Sequence, residues 1–402
     1  MSGASGYFAF SKRPGDNAWL DFVRAFAIAL VLLRHGHRAI AHPSDGATDF
    51  VQAFLLNGWI GVDLFFVLSG YLISRHLLRY GVGTGHFDFA RYLTMRALRI
   101  VPAYFAVIAL VVASAFPLYP VDSAHLGFRI AYHLVFLQDY LPSDINVVFW
   151  SLGVEEKFYL LAPVLIWLAM TRGSLSRRML VLLAVFALSP ILRAATYFLQ
   201  AAPMSYEAFF TVLRSPFHAC LEPLMIGVAV AVAQHAGAVA VAPRKGAKVV
   251  VIALVALTLF LASHEFMREI GPFDAIAQPS IIAMLCGLLT LGAVMMGDAP
   301  APFEPAVRVI ARLSYSLYLV HYPLLPICVA IARTAEFPLL SFWITYLAVS
   351  FAVACLLHFS VEKPFLVLKD RLARDRSMGG TPQEPSEKKN MAPDTAVLTK
   401  PV

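Results

Sequence analysis

Charge is scarce in this chain of 402 residues. Asp, Glu, Lys and Arg make up 14% of it, where soluble domains average about a quarter. With 59% hydrophobic residues, that scarcity excludes an ordinary soluble globular protein and points to lipid as the solvent. Cysteine is scarce too: the four, Cys220, Cys286, Cys328 and Cys355, all fall in apolar runs, with no CxxC among them. Neither a disulfide framework nor a metal site is indicated, and they read as small buried hydrophobes. A cleaved signal is not expected either, because Arg24 interrupts the first apolar run and no small-x-small site follows. No internal repeat is evident, which weakens an inverted-repeat transporter. The net charge of +7 would point to nucleic acid in a soluble protein. Here Lys and Arg orient helices instead, so nucleic acid is not an expected partner.

What is present is a series of apolar runs near 18–38, 57–78, 101–117, 148–170, 179–199, 218–236, 249–263, 278–297, 307–333 and 339–361. They predict an all-α integral membrane protein, a bundle of about ten transmembrane helices. Basic residues gather in the segments that a cytoplasmic N-terminus places inside, so both termini are expected in the cytoplasm. The expected organisation is a cytoplasmic segment 1–17, a membrane domain 18–361 and a cytoplasmic tail 362–402. The tail ends in a polar, Pro-containing stretch, 377–402, with the composition of a disordered segment. The expected location is the inner (plasma) membrane, crossed many times, with the lipid bilayer as partner.

Several polar residues are out of place in such a bundle. The first run, WLDFVRAFAIALVLLRHGH, carries Arg24 near its start and His35 near its end. An ionised Arg at the centre of a bilayer helix costs on the order of 3 kcal/mol, and a plain anchor would have Leu there. Eleven steps of about 100° bring both side chains to one face, roughly 16 Å apart along the axis. The expected topology puts His35, Asp63, Glu155, Glu156 and Glu222 in the outer half of the membrane and His321 near mid-depth. Singly, each has a structural reading. A lone membrane His can hydrogen-bond a neighbouring helix, Glu156 and Lys157 can pair with each other, Arg34 and His37 read as interfacial, Arg193 as snorkelling. The pair Ser69–Gly70 reads as a place where helices approach. Jointly, His35, Asp63 and Glu155 at one level are harder to explain as packing. A neutral His beside a carboxylate removes a proton from a hydroxyl near pH 7, with the carboxylate fixing the tautomer. On the other side Arg91, Arg96 and Arg99 form a cationic cluster, which suits lipid head groups or the phosphates of an anionic cofactor.

The sequence resembles the acyltransferase family 3 membrane proteins through several separated motifs. Arg24 and His35 match an Arg-x10-His signature, GVDLFFVLSGYLIS (61–74) the second-helix block, and RALRIVPAY (96–104) an Arg-x-x-Arg. WSLGVEEKFYLLAP (150–163) matches the usual WSLxVEEQFYLxxP with Lys157 in place of Gln, and SYSLYLVHYPLL (314–325) and VEKPF (361–365) match the terminal blocks. The resemblance implies a membrane O-acyltransferase moving an acyl group, usually acetyl from acetyl-CoA, onto a cell-surface or lipid-linked carbohydrate. It implies His35 as base or transient acyl acceptor, Arg24 in the same essential pair, and Arg96 and Arg99 at the coenzyme. Asp63 and Glu155 as orienting carboxylates are an inference from depth. Trp150, Glu156, Glu222 and His321 are the candidates for touching the acceptor, and no metal is called for. About 40 mostly polar residues follow Glu362, so the transfer is expected to be completed alone or with a separate polysaccharide-assembly protein. The rival readings are a polysaccharide or lipid transporter and a structural partner of such an assembly complex.

Overall fold

The computed structural model describes residues 10, 16–40, 49–79, 87–170, 173–200, 204–266 and 270–378. Most of the expected segment 1–17, and residues 379–402 of the expected disordered tail, lie outside the described residues. Among the described residues every regular element is helical. Six helices are long and apolar enough to cross a membrane, or seven if one bent pair counts as a single span.

The first helix, α1 (Ala18–Ile40), is capped by Asn17, whose side chain accepts from the backbone N–H of Trp19 and Leu20. Then come α2 (Phe50–Leu56), a short 3-10 turn (Gly58–Ile60) and α3 (Gly61–Arg79). Helix α4 (Phe89–Val112) starts a dozen residues before the expected span, because the Asp88 side chain caps it at the Arg91 N–H. Pro102 is therefore inside a helix rather than at its start, and the arginine cluster rides on the helix itself. A surface helix α5 (Leu126–Leu134) leads to α6 (Trp150–Met170) and α7 (Leu175–Leu199). Short α8 (Tyr206–Phe209) continues as a π turn to Arg214 and precedes α9 (Leu221–His235), α10 (Pro243–Ser263) and α11 (Gln278–Met296). The expected ninth span is two helices, α12 (Glu304–Val320) and α13 (Leu325–Arg333), bent by 85°. Pro323 lies in the break and cannot continue the first helix. The chain closes with α14 (Pro338–Leu357), a π turn and α15 (Lys363–Met378). The expected tail, 362–402, thus begins as helix. Its Ala373 carbonyl accepts from Arg91.

Helix α1 lies at the centre, with Val23, Ala27, Ile28, Leu30 and Val31 almost wholly buried, between α3 and α12. The tightest pairing is α3 on α9. There Gly70 and Gly227 oppose each other: a Cβ on Gly70 would strike the Leu224 carbonyl, and one on Gly227 the Val67 carbonyl. Small residues are what allow helix backbones to approach this closely in lipid, so Gly70 does act in packing. Cys220, Cys286 and Cys328 are buried as expected, and Cys355 is only partly buried. Replacing Gly227 by Val should lower stability by about 1–3 kcal/mol or more through overpacking, read as a lower thermal unfolding midpoint in detergent. Gly127→Ala, where nothing lies within 4 Å of the added carbon, should leave the midpoint unchanged or slightly raised.

Candidate active site

Among the described residues, the bundle holds a larger and a smaller cavity. The larger, about 960 Å³, is lined among others by Arg34, His35, Trp59, Trp150, Tyr206 and Tyr322. The smaller, about 290 Å³, is lined by Arg24, His76, Arg96, Arg99, Glu155 and Tyr159 among others. Val62 and Tyr318 line both. They stand where the two spaces meet. The Tyr318 hydroxyl donates to the Val148 carbonyl at 2.8 Å and is 2.6 Å from Ser151 Oγ. Ser151 Oγ is itself 3.2 Å from the same carbonyl, so the two hydroxyls share it.

Arg24 and His35 leave the same face of α1 but open into different cavities. His35 Nδ1 is 3.0 Å from His321 Nε2, and His321 Nδ1 is 3.0 Å from the Leu317 carbonyl. A carbonyl only accepts, so His321 carries its proton on Nδ1, and its Nε2 must accept from His35 Nδ1–H. Neutral His35 therefore has a bare Nε2, the state a proton acceptor requires. His321 is fully buried, at the break that follows α12. A carboxylate was expected in this place, and the structure puts a second histidine there.

Asp63 is engaged elsewhere. Its two oxygens take Arg214 Nη1 at 3.1 Å and Nη2 at 2.7 Å, and the guanidinium lies 5.0 Å from the ring centres of Trp59 and of Trp150. Trp150 thus lines the larger cavity while holding Arg214. Arg214 escaped the sequence reading because it falls in a short polar stretch between two apolar runs. The available signal was an acid in α3 that needed a partner.

Glu155 does not share a cavity with His35. It lines the smaller cavity, where it accepts from Ser69 at 2.9 Å and from Tyr159 at 2.8 Å. The five residues from Trp150 to Glu155 move it about 7.5 Å along α6, a step that a two-layer depth assignment cannot resolve. Ser69 serves this bond rather than packing alone. In the same cavity Arg24 reaches Asp21 at 3.2 Å, and Arg96 stacks on Tyr92 with its centre 5.7 Å from the ring. Arg96 Nε is buried without a hydrogen-bond partner among the described residues.

Besides Asp63 and His321, two further candidates line neither cavity. Glu222 is locked in the core with Arg193, Nη2 to Oε1 2.8 Å, and with Ser280. Arg193, expected to snorkel, also donates to the Ala219, Ala275 and Ile276 carbonyls. Glu156 is partly buried, with Oε1 unpartnered. Its expected partner Lys157 instead bonds Asp139 and the Phe136 carbonyl, each at 2.6 Å. At Asp139, in the connecting loop, burial raises the carboxyl pKa while Lys157 lowers it. Arg34, expected at an interface, is buried, and it donates to the Leu56 carbonyl. No group of three or more His, Cys, Asp or Glu among the described residues could hold a metal ion.

The family model described as an acyltransferase domain matches residues 17–359. Among curated proteins the chain is 26% identical to peptidoglycan O-acetyltransferase OatA of Listeria monocytogenes, over 82% of this chain and 54% of that protein. It is 26% identical to O-acetyltransferase OatA of Staphylococcus aureus, over 76% of this chain and 50% of that one. The chain spans about half the length of these relatives. No solved structure matches.

Removing one member of a buried ion pair strands the other, at about 3–5 kcal/mol. Asp63→Ala should therefore lower the thermal midpoint sharply in detergent. The double variant Asp63→Leu, Arg214→Met should recover most of that loss.

Proposed function

Because the chain belongs to the acyltransferase family whose domain model covers residues 17–359, we propose that it is a membrane O-acyltransferase, moving an acetyl group from acetyl-CoA to a hydroxyl of a cell-surface or lipid-linked carbohydrate. The observation that carries this reading is His35, with a bare Nε2 at the larger cavity, one side chain away from a cavity rich in arginine. Residues 18–361 would form the membrane domain. With α1, α6 and α9 taken as crossings beside the seven apolar spans, there are ten, and both ends are cytoplasmic. The smaller cavity then faces the cytoplasm and the larger one the opposite side of an inner (plasma) membrane.

The donor supplies an activated thioester. Arg96 and Arg99, three residues apart on one face of α4, would grip its phosphates, and the unpartnered Nε of Arg96 fits that task. Arg24 lines the same cavity, in position to bind the anionic donor on its way to Tyr318. The aromatic side chains Trp59, Trp150, Tyr206 and Tyr322 in the larger cavity suit the C–H faces of a sugar. His35 Nε2 takes the proton of the acceptor hydroxyl. The freed oxygen bonds to the acetyl carbon, the carbon–sulfur bond breaks, and the thiolate leaves with that proton. While His35 is protonated, its Nδ1–H stays bonded to His321 Nε2, so His321 is a positioning residue for the base. Asp63, through Arg214 and Trp150, holds the wall of the acceptor space.

With purified protein, labelled acetyl-CoA and a carbohydrate acceptor, His35→Ala should lose about 10²–10⁴-fold in kcat. Transfer at the wild-type rate would refute the proposal. His321→Ala should lower kcat with little change in KM and alter the pH profile. His321→Gln, whose amide oxygen can still accept from His35, should restore part of the rate. CoA should raise the thermal midpoint of the wild type, and Arg96→Ala with Arg99→Ala should remove most of that rise. No CoA effect on the wild type would favour a transporter.

A further inference from the structure

The larger cavity carries more positive charge than proton transfer at His35 requires. Arg34, Arg38, Arg214 and Arg333 line it, with Asp144 as its one carboxylate. Two of these five are already matched: Arg214 by Asp63, and Asp144 by Arg129 at 2.7 Å. Among the described residues, no carboxylate is paired with Arg34, Arg38 or Arg333. Arg34 is the telling one, because it is buried and its guanidinium donates to a neutral acceptor, the Leu56 carbonyl, while Glu265 acts on it only electrostatically. A buried guanidinium left without an anion is costly, and ligand charge is what completes such a site.

The geometry points to an acceptor that is itself an anion. We propose that the carbohydrate entering this cavity carries a carboxylate or a phosphate, bound by Arg34, Arg38 and Arg333, while a hydroxyl of the same molecule meets His35. The placement follows from α1: Arg34 adjoins His35, and Arg38 lies one turn further on, about 5–6 Å between Cβ atoms. Arg333 closes the cavity from the end of α13. Arginine suits both anions, since its planar fork binds two oxygens at once. This inference rests on the transferase reading of the cavity and names its substrate class.

Binding, measured without acetyl-CoA, tests it separately from the transfer reaction. The protein in phosphatidylcholine nanodiscs is titrated with two matched pairs: a glucuronate-containing tetrasaccharide against its carboxyl-reduced form, and N-acetylglucosamine 1-phosphate against N-acetylglucosamine. At least one charged member should bind about ten-fold or more tightly than its neutral counterpart, as expected for a charge-assisted bond. Which pair responds tells a carboxylate from a phosphate. In Arg38→Gln, Arg333→Gln, two exposed positions, that preference should fall toward unity, with the unliganded thermal midpoint retained. Equal binding of charged and neutral members, binding of none, or a preference unchanged in the variant overturns the inference. So does loss of the charged probe's binding on exchange to phosphatidylglycerol, which would assign these arginines to lipid head groups. If binding behaves as expected but His35→Ala transfers acetyl normally, the acceptor assignment stands and the catalytic one falls.

Discussion

Where the surroundings are hydrocarbon, an ionised or hydrogen-bonding side chain has to be answered from within the same bundle. That constraint places most of the polar residues of this protein. Asp63 of α3 is answered by Arg214 from the segment before α9, and Glu222 of α9 by Arg193 of α7. Asn57 ties the start of α3 to the end of α10 through the Leu261 and His264 carbonyls. These bonds set which helices neighbour one another, and the two cavities are the spaces they leave.

The break between α12 and α13 links this framework to the site. Pro323 ends the helical run, and His321 stands at the turn with its Nδ1 anchored to Leu317. From there its other nitrogen reaches across to α1. The imidazole pair thus sits where the span breaks. Tyr318, one turn earlier on α12, divides the two cavities while bonded to α6 through Ser151 and to the Val148 carbonyl just before it. One short stretch of sequence, 318–322, therefore serves both the partition and the base.

The family domain and a helical membrane protein were legible in composition and motifs. Arg24, His35 and the arginines of α4 stood out because each breaks an apolar pattern. Depth was the weak step. Asp63 and Glu155, both placed in the layer of His35, belong to a structural ion pair and to the other cavity. Glu222, read as a candidate for the acceptor, is a core partner of Arg193. Arg34, read as interfacial, is buried and lines the larger cavity.

What the sequence determined by itself was which residues are anomalous and along which helices they lie. Charge in lipid is conspicuous one residue at a time, and helical spacing is a local property of the chain. Which anomalies neutralise one another, and which face a cavity, only the tertiary structure decided. Those outcomes turn on contacts between residues 151 and 286 positions apart, as in Asp63 with Arg214 and His35 with His321. No local periodicity encodes such a distance.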